Sequence, residues 1–134
     1  MRKTLSTLFL VVSLFILAGS ASSQTLYFCE GVDNSGYPIT PSSTFTIPRA
    51  GGYLYFLMRL PYEVGCTSIR YEIYSVDTYD YSETYSTTIY QDDMQSSWTW
   101  FWKKVTFYTP GYYHVYAIDC FDFTLADGFL TIKF

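Results

Sequence analysis

Apolar and polar residues alternate along almost the whole chain after residue 24. The clearest case is the segment 53–60 (YLYFLMRL), whose apolar side holds Leu54, Phe56, Met58 and Leu60. Period-two alternation places successive side chains on opposite faces of a β-strand. No segment of ten or more residues shows a helical period, so the sequence predicts an all-β protein.

Turn residues divide this pattern into short segments. Clusters of glycine, proline, asparagine, aspartate and serine separate the apolar runs, as they do at turns between strands. The predicted strands cover 25–32, 44–47, 53–60, 68–76, 86–90, 98–108, 112–118 and 128–134. Short strands at this spacing are typical of a single antiparallel β-sandwich of about seven strands.

The first residues follow a different pattern. Two basic residues precede an apolar run over 8–18, and small residues come next. This arrangement is typical of a cleaved secretory signal peptide. The apolar run is shorter than the roughly 20 residues that a transmembrane helix needs. We therefore predict a signal peptide over 1–23, cleaved near Ser23, and one β-sandwich domain over 24–134.

The predicted export has consequences for the partners of the protein. Ser20 stands where a lipoprotein signal requires a cysteine, so we expect neither lipidation nor a stable membrane anchor, and a periplasmic or extracellular location. Loss of Arg2 and Lys3 leaves 8 − 2 = 6 basic residues against 12 acidic ones. Nucleic acid and anionic membranes both bind cationic surfaces, so this acidic balance argues against them as partners.

A more specific pattern begins at Val105. It is Val105-x-Phe107-x3-Gly111-x-Tyr113-x-Val115-x-Ala117. This pattern resembles the penultimate-strand region of bacterial immunoglobulin-like modules, and the resemblance covers about residues 105–134. It implies an immunoglobulin-like sandwich. Such modules occur in adhesins, enzyme accessory modules and polysaccharide-associated proteins alike, so the resemblance implies no activity.

The implied topology also suggests a disulfide bond. The strand 68–76 would begin at the end of the sandwich where the strand 112–118 finishes. Cys66 and Cys120 would then lie close together and pair in an oxidising compartment, which leaves Cys29 over. The first strand also starts at that end, so a pairing that includes Cys29 stays open.

Three tryptophans, Trp98, Trp100 and Trp102, occupy alternate positions and share one side of a strand. A regular strand in the register of the pattern above buries Lys103 and exposes the indoles. A β-bulge at Lys103 and Lys104 would instead place both lysines in water and the indoles in the core. Burying an unpaired lysine costs several kcal/mol, whereas burying each indole stabilises the fold by roughly 3 kcal/mol. We therefore predict the bulge; the alternative is an exposed aromatic platform that stacks on sugars.

The implied topology places the strands 68–76 and 112–118 side by side, with 128–134 next to them. The candidate binding face consists of their outward side chains, Arg70, Glu72, Tyr74, Tyr112, His114 and Tyr116. Recognition surfaces favour tyrosine and arginine, so this face is a candidate for binding another exported protein. The alternative is that its aromatic pairs only stabilise a solvated sheet.

Catalytic and metal-binding motifs are absent from the sequence. His114 is the only histidine, and no serine or cysteine nucleophile motif lies near it; phosphate loops, G-x-S-x-G and H-E-x-x-H are missing. The carboxylates match no calcium-loop spacing. We expect no enzyme activity, catalytic residue, cofactor or metal. The predicted function is a non-catalytic exported module for protein interaction or a structural role; the alternative is a small carbohydrate-binding module for a cell-surface glycan.

Overall fold

The computed structural model describes residues 25–134, which form two packed β-sheets without any helix. The strands are β1 (Leu26–Val32), β2 (Pro38–Pro41), β3 (Thr44–Thr46), β4 (Gly52–Arg59), β5 (Ile69–Val76), β6 (Glu83–Gln91), β7 (Trp100–Phe107), β8 (Gly111–Ile118) and β9 (Thr124–Lys133). The predicted signal peptide and its cleavage near Ser23 lie outside the described residues.

A search of the described part for a helix long and apolar enough to cross a membrane finds none.

One sheet has four strands in the order β2-β1-β4-β7, and the other has five in the order β3-β9-β8-β5-β6. All pairs are antiparallel except β3 with β9. The all-β class and the neighbours β5, β8 and β9 are as predicted. The sequence did not indicate β2, because its segment PITP has a proline at each end. Prolines are tolerated there since β2 is an edge strand.

Alternating apolar side chains of both sheets form the core between them. Leu54, Phe56 and Met58 of β4 are fully buried, as their alternation predicts. Across the interface, the Phe56 ring meets the Tyr71 ring edge-to-face at 5.3 Å between centroids. Val115 of β8 is equally buried. The sandwich therefore buries the apolar face of each sheet against the other.

Cys66 and Cys120 form a disulfide bond with 5.9 Å between their Cα atoms, which confirms that pairing. Cys29 remains a free, buried cysteine. The bond joins the loop before β5 to the connection between β8 and β9. It therefore ties together two loops at one end of the sandwich.

The predicted bulge at Lys103 and Lys104 is wrong. The strand β7 pairs with β4 in one unbroken register from the Gly52–Phe107 pair to the Arg59–Trp100 pair. Val105 and Phe107 are buried, as predicted, and Lys103 lies on the same inward side, opposite buried Phe56. Trp100 and Trp102 consequently face outward rather than into the core.

The position of β7 at the edge of its sheet explains why the regular strand is stable. Lys103 is only half-buried, so its long side chain reaches water past the open side of the sandwich and keeps its charge solvated. The bulge was predicted from the free-energy cost of burying an unpaired lysine, and that cost applies only to a lysine enclosed on all sides. An inward-pointing charge also hinders another chain from pairing with an edge strand.

Lys103→Val should therefore promote self-association through the edge of β7 that faces away from β4. Valine suits the inward position and strengthens β propensity, but it removes the charge that obstructs pairing. Sedimentation velocity over a range of protein concentrations measures the effect. Lys104→Val is the matched control, because it removes the same charge from the outward face. A Lys103→Val protein that stays as monomeric as the control would contradict the explanation.

Candidate functional site

The predicted binding face lies on the outer side of the five-stranded sheet. Tyr74 pairs with His114 and Glu72 with Tyr116 across β5 and β8. Tyr112 faces the same way, and its ring stacks on Phe129 of β9 at 5.5 Å. The structure thus brings these predicted residues together. His114, however, is only 7% exposed.

Neighbouring side chains cover His114 on the outer surface of the sheet. Its Nδ1 lies 2.9 Å from Glu83 Oε2, and its Nε2 lies 2.6 Å from Asp127 Oδ2. The imidazole also stacks on Phe129 at 4.0 Å between ring centroids. Each ring nitrogen thus lies within hydrogen-bonding distance of a carboxylate oxygen. The histidine therefore links β8 to both β6 and β9.

Glu83 collects a second hydrogen bond from the same cluster. The Tyr116 hydroxyl donates to Glu83 Oε1 at 2.8 Å. The hydrogen bond from His114, followed by that from Tyr116, holds the pKa of the Glu83 carboxyl below its usual range. Loss of solvation, together with the Glu83 carboxylate, raises the pKa of Tyr116 to about 12. The cluster thus stabilises an ionised Glu83 and a neutral Tyr116.

The other charges of this face also pair with one another. Arg70 donates through Nε to Glu72 and through Nη1 to Asp122, both at 2.9 Å. The Tyr74 hydroxyl donates to the second oxygen of Glu72 at 3.0 Å. These side chains therefore form a hydrogen-bonded network with one another on the face.

A groove of about 570 Å³ lies where β6 and β7 form the edges of the two sheets. The segment 97–102 lines it together with Gln91 and Asp92. We call it the tryptophan groove, because Trp98, Trp100 and Trp102 all belong to its lining. Trp102 is 46% exposed, and the other two indoles are half-buried. The volume falls within the range of about 300–1,000 Å³ that is usual for ligand sites.

The rings of Trp100 and Trp102 pack against other residues on the outer face of the four-stranded sheet. The Trp102 ring meets Tyr55 edge-to-face at 5.3 Å. The Trp100 ring lies so close to Gly36 that any Cβ there would overlap it, and Gly36 has a φ of 81° that favours glycine. Arg59 donates to the Gly36 carbonyl and holds this turn in place. These contacts restrict the orientation of the Trp100 and Trp102 rings.

The side chain of Gln91 connects the two sheets beside the groove. Its Oε1 accepts a hydrogen bond from the buried Tyr71 hydroxyl, and its Nε2 donates to the Trp102 carbonyl, both at 2.8 Å. Burial raises the pKa of Tyr71, so the hydroxyl remains a donor. This bridge fixes the edge strand β7 relative to β6.

Sequence reasoning missed the partners of His114. Glu83 and Asp127 were assigned to loops, whereas they lie within β6 and β9, and Phe129 lies on β9 beside the imidazole. If the last strand had been predicted to begin before Asp127, that residue would have been placed opposite Tyr116. Gln91 and Asp92 carried no pattern that placed them beside the tryptophans.

No family model, curated protein or solved structure matches this chain. Within residues 25–134, no group of three or more histidine, cysteine, aspartate or glutamate side chains is placed to hold a metal ion.

Gln91→Leu should lower the free energy of unfolding by about 1–3 kcal/mol, because it leaves the buried Tyr71 hydroxyl without a partner. Adding Tyr71→Phe removes that orphaned group, so the double variant should recover part of the loss. Urea denaturation of the wild type, both single variants and the double variant gives the coupling. Effects of the two substitutions that simply add would contradict the bridge.

In Glu83→Gln, the free energy of unfolding should fall less steeply between neutral and acid pH than it does in the wild type. The folded-state pKa of Glu83 lies below its unfolded value of about 4.3. Its contribution is therefore present above that value and is lost as the pH falls through the folded-state pKa. Urea midpoints between neutral and acid pH measure this. Glu63→Gln is the control, since no side chain within 25–134 pairs with Glu63; equal acid slopes in the two variants would rule the assignment out.

Proposed function

We propose that this protein is a non-catalytic binding module whose ligand is a glycan held in the tryptophan groove. Sugars bury the C–H face of a pyranose ring against an aromatic ring, whose face carries partial negative charge. Trp100 and Trp102 face outward beside one groove, and Trp98, which also packs against the core, belongs to the same lining. The outward orientation of Trp100 and Trp102 in an unbroken β7 is the observation that carries the proposal.

The rigidity of the groove supports a binding role. Tyr55 and Gly36 back two of the indoles, and Gln91 fixes the strand that bears them. A preorganised site loses little conformational entropy when a ligand binds. Aromatic side chains that are held rigidly and yet remain partly exposed are typical of recognition surfaces.

The surroundings of His114 support the non-catalytic part of the proposal. A catalytic base needs a ring nitrogen within reach of a substrate proton. Both nitrogens of His114 instead contact carboxylates of the protein, and the ring is stacked and buried. We therefore assign the histidine a structural role in the sheet.

The predicted protein-binding face has less support than the groove. Its charged residues pair with one another, so a partner would have to displace Glu72 or Asp122 from Arg70 or compete for the same atoms. A polar network that is satisfied internally adds rigidity and specificity to the fold. We retain this face as a stabilising surface, which was the alternative at the sequence level.

We further propose that the sandwich has an immunoglobulin-like topology and that the protein is exported. The order β9-β8-β5-β6 with β3 parallel to β9, opposite a sheet that contains β4 and β7, supports that topology. The disulfide between Cys66 and Cys120 is compatible with an oxidising compartment outside the cytoplasm. The expected ligand in that setting is a cell-surface or extracellular glycan.

Titration with a panel of neutral hexasaccharides, followed by tryptophan fluorescence and calorimetry, tests the function. At least one member should shift the fluorescence and bind. Trp102→Ala should weaken that binding by about 2 kcal/mol, roughly 30-fold, as truncation of a central tryptophan does at other interfaces.

Tyr79→Ala is the control for this titration. Tyr79 is an aromatic residue that is 94% exposed in the turn between β5 and β6, away from the groove. It should leave the affinity unchanged. No binding by any member of the panel, or an unchanged affinity in Trp102→Ala, would refute the proposed function.

A further inference from the structure

Asp92 stands out among the residues that line the tryptophan groove. Among residues 25–134 it is the only charged residue of this lining, and its side chain is exposed. Within residues 25–134 no side chain or backbone group pairs with its carboxylate. The neighbouring Gln91 uses both ends of its amide on Tyr71 and Trp102. The groove therefore offers one unpaired negative charge beside its indoles.

The backbone on both sides of Asp92 is anchored. Gln91 precedes it and is clamped between the sheets, while Met94 follows it, is buried and donates its N–H to the Thr67 carbonyl at 3.0 Å. Further along the loop, Val64 donates its N–H to the Trp98 carbonyl at 2.8 Å. The fold thus determines where the backbone of Asp92 lies relative to the tryptophans, and the exposed side chain extends from that point.

The remaining polar side-chain groups of the lining are hydroxyls and the indole N–H groups of the tryptophans. Ser97 and Thr99 supply one hydroxyl each, and among residues 25–134 no lysine, arginine or histidine belongs to the lining. Lys103, the next residue along β7, points inward and is not part of the lining, so an anionic ligand in the groove would meet the like charge of Asp92. A ligand with free hydroxyls, in contrast, can donate charge-assisted hydrogen bonds to both oxygens of Asp92.

Resting on the function proposed above, we infer that the tryptophan groove selects uncharged glycans and rejects anionic ones, and that Asp92 determines this specificity. The indoles contact the C–H faces of the sugar rings, which neutral and anionic sugars share. The carboxylate supplies the discrimination, because it accepts hydrogen bonds from adjacent hydroxyls and repels a uronate or sulfate group.

Two matched pairs of hexasaccharides test the inference: β-1,4-glucose and β-1,4-mannose hexamers, and the same hexamers oxidised at C6 to uronates. Each pair shares its linkage and ring stereochemistry and differs only at C6, where a carboxylate replaces the hydroxymethyl group. Calorimetry on the purified protein should show the neutral member binding about tenfold more tightly, the size of effect expected from one nearby like charge at intermediate dielectric.

Asp92→Asn keeps the size of the side chain and removes its charge. It should weaken binding of the neutral hexamer and strengthen binding of the uronate, so the preference falls by about fivefold or more. Asp93→Asn is the matched control, because it changes the overall charge equally at the adjacent position, which does not line the groove. Its preference should stay close to that of the wild type.

Salt provides an independent readout. Screening shortens the Debye length from about 10 Å at 0.1 M to about 3 Å at 1 M, so added salt should improve uronate binding to the wild type and have less effect on Asp92→Asn.

The outcomes separate the two proposals. Uronates that bind the wild type as tightly as their neutral counterparts, or a preference that Asp92→Asn and Asp93→Asn change equally, would overturn the inference and leave glycan binding intact. Failure of these hexamers and of every member of the neutral panel to bind would overturn both.

Discussion

The bridge that Gln91 builds between the two sheets determines the arrangement of the candidate site. A sandwich is open where the last strands of its two sheets lie side by side, and here those strands are β6 and β7. Gln91 closes this opening with one hydrogen bond to Tyr71 in the core and another to the backbone of Trp102. Because an unpaired buried hydroxyl is costly, core stability and groove geometry depend on the same side chain.

The edge position of β7 explains how an inward-facing Lys103 and outward-facing tryptophans occur in one regular strand. A lysine on the apolar side of a central strand would be enclosed, whereas Lys103 on an edge strand keeps its charge in water. The regular register that follows turns Trp100 and Trp102 outward. Contacts with Tyr55 and with the turn at Gly36 then restrict the orientation of these rings. The partial exposure of Lys103 is thus compatible with the outward orientation of Trp100 and Trp102.

Much of the architecture was predictable because burial of alternating side chains is a local signal. The alternation in 53–60 identified β4 and its inward face, and the Tyr113 and Val115 pattern identified β8. The pairing of Cys66 with Cys120 followed once β5 and β8 were expected to be neighbours. These predictions required only that an apolar face be covered.

Features that depend on distant residues were not predictable in the same way. His114 was expected on an exposed face, but Glu83 and Asp127, 31 and 13 residues away, cover it with carboxylates. The role of Gln91 likewise depends on Tyr71, 20 residues earlier, and on Trp102, 11 residues later. Polar contacts of this kind leave no periodicity in the sequence, since each depends on two backbone segments meeting.

The sequence by itself determined the all-β class, most of the strands and the side of each that is buried, because period-two burial follows from strand geometry alone. The tertiary structure decided which strands lie at the edges, and therefore whether Lys103 could reach water and which way the tryptophans would point. Edge position depends on the order of strands in each sheet, a long-range property that the alternation within one strand does not encode.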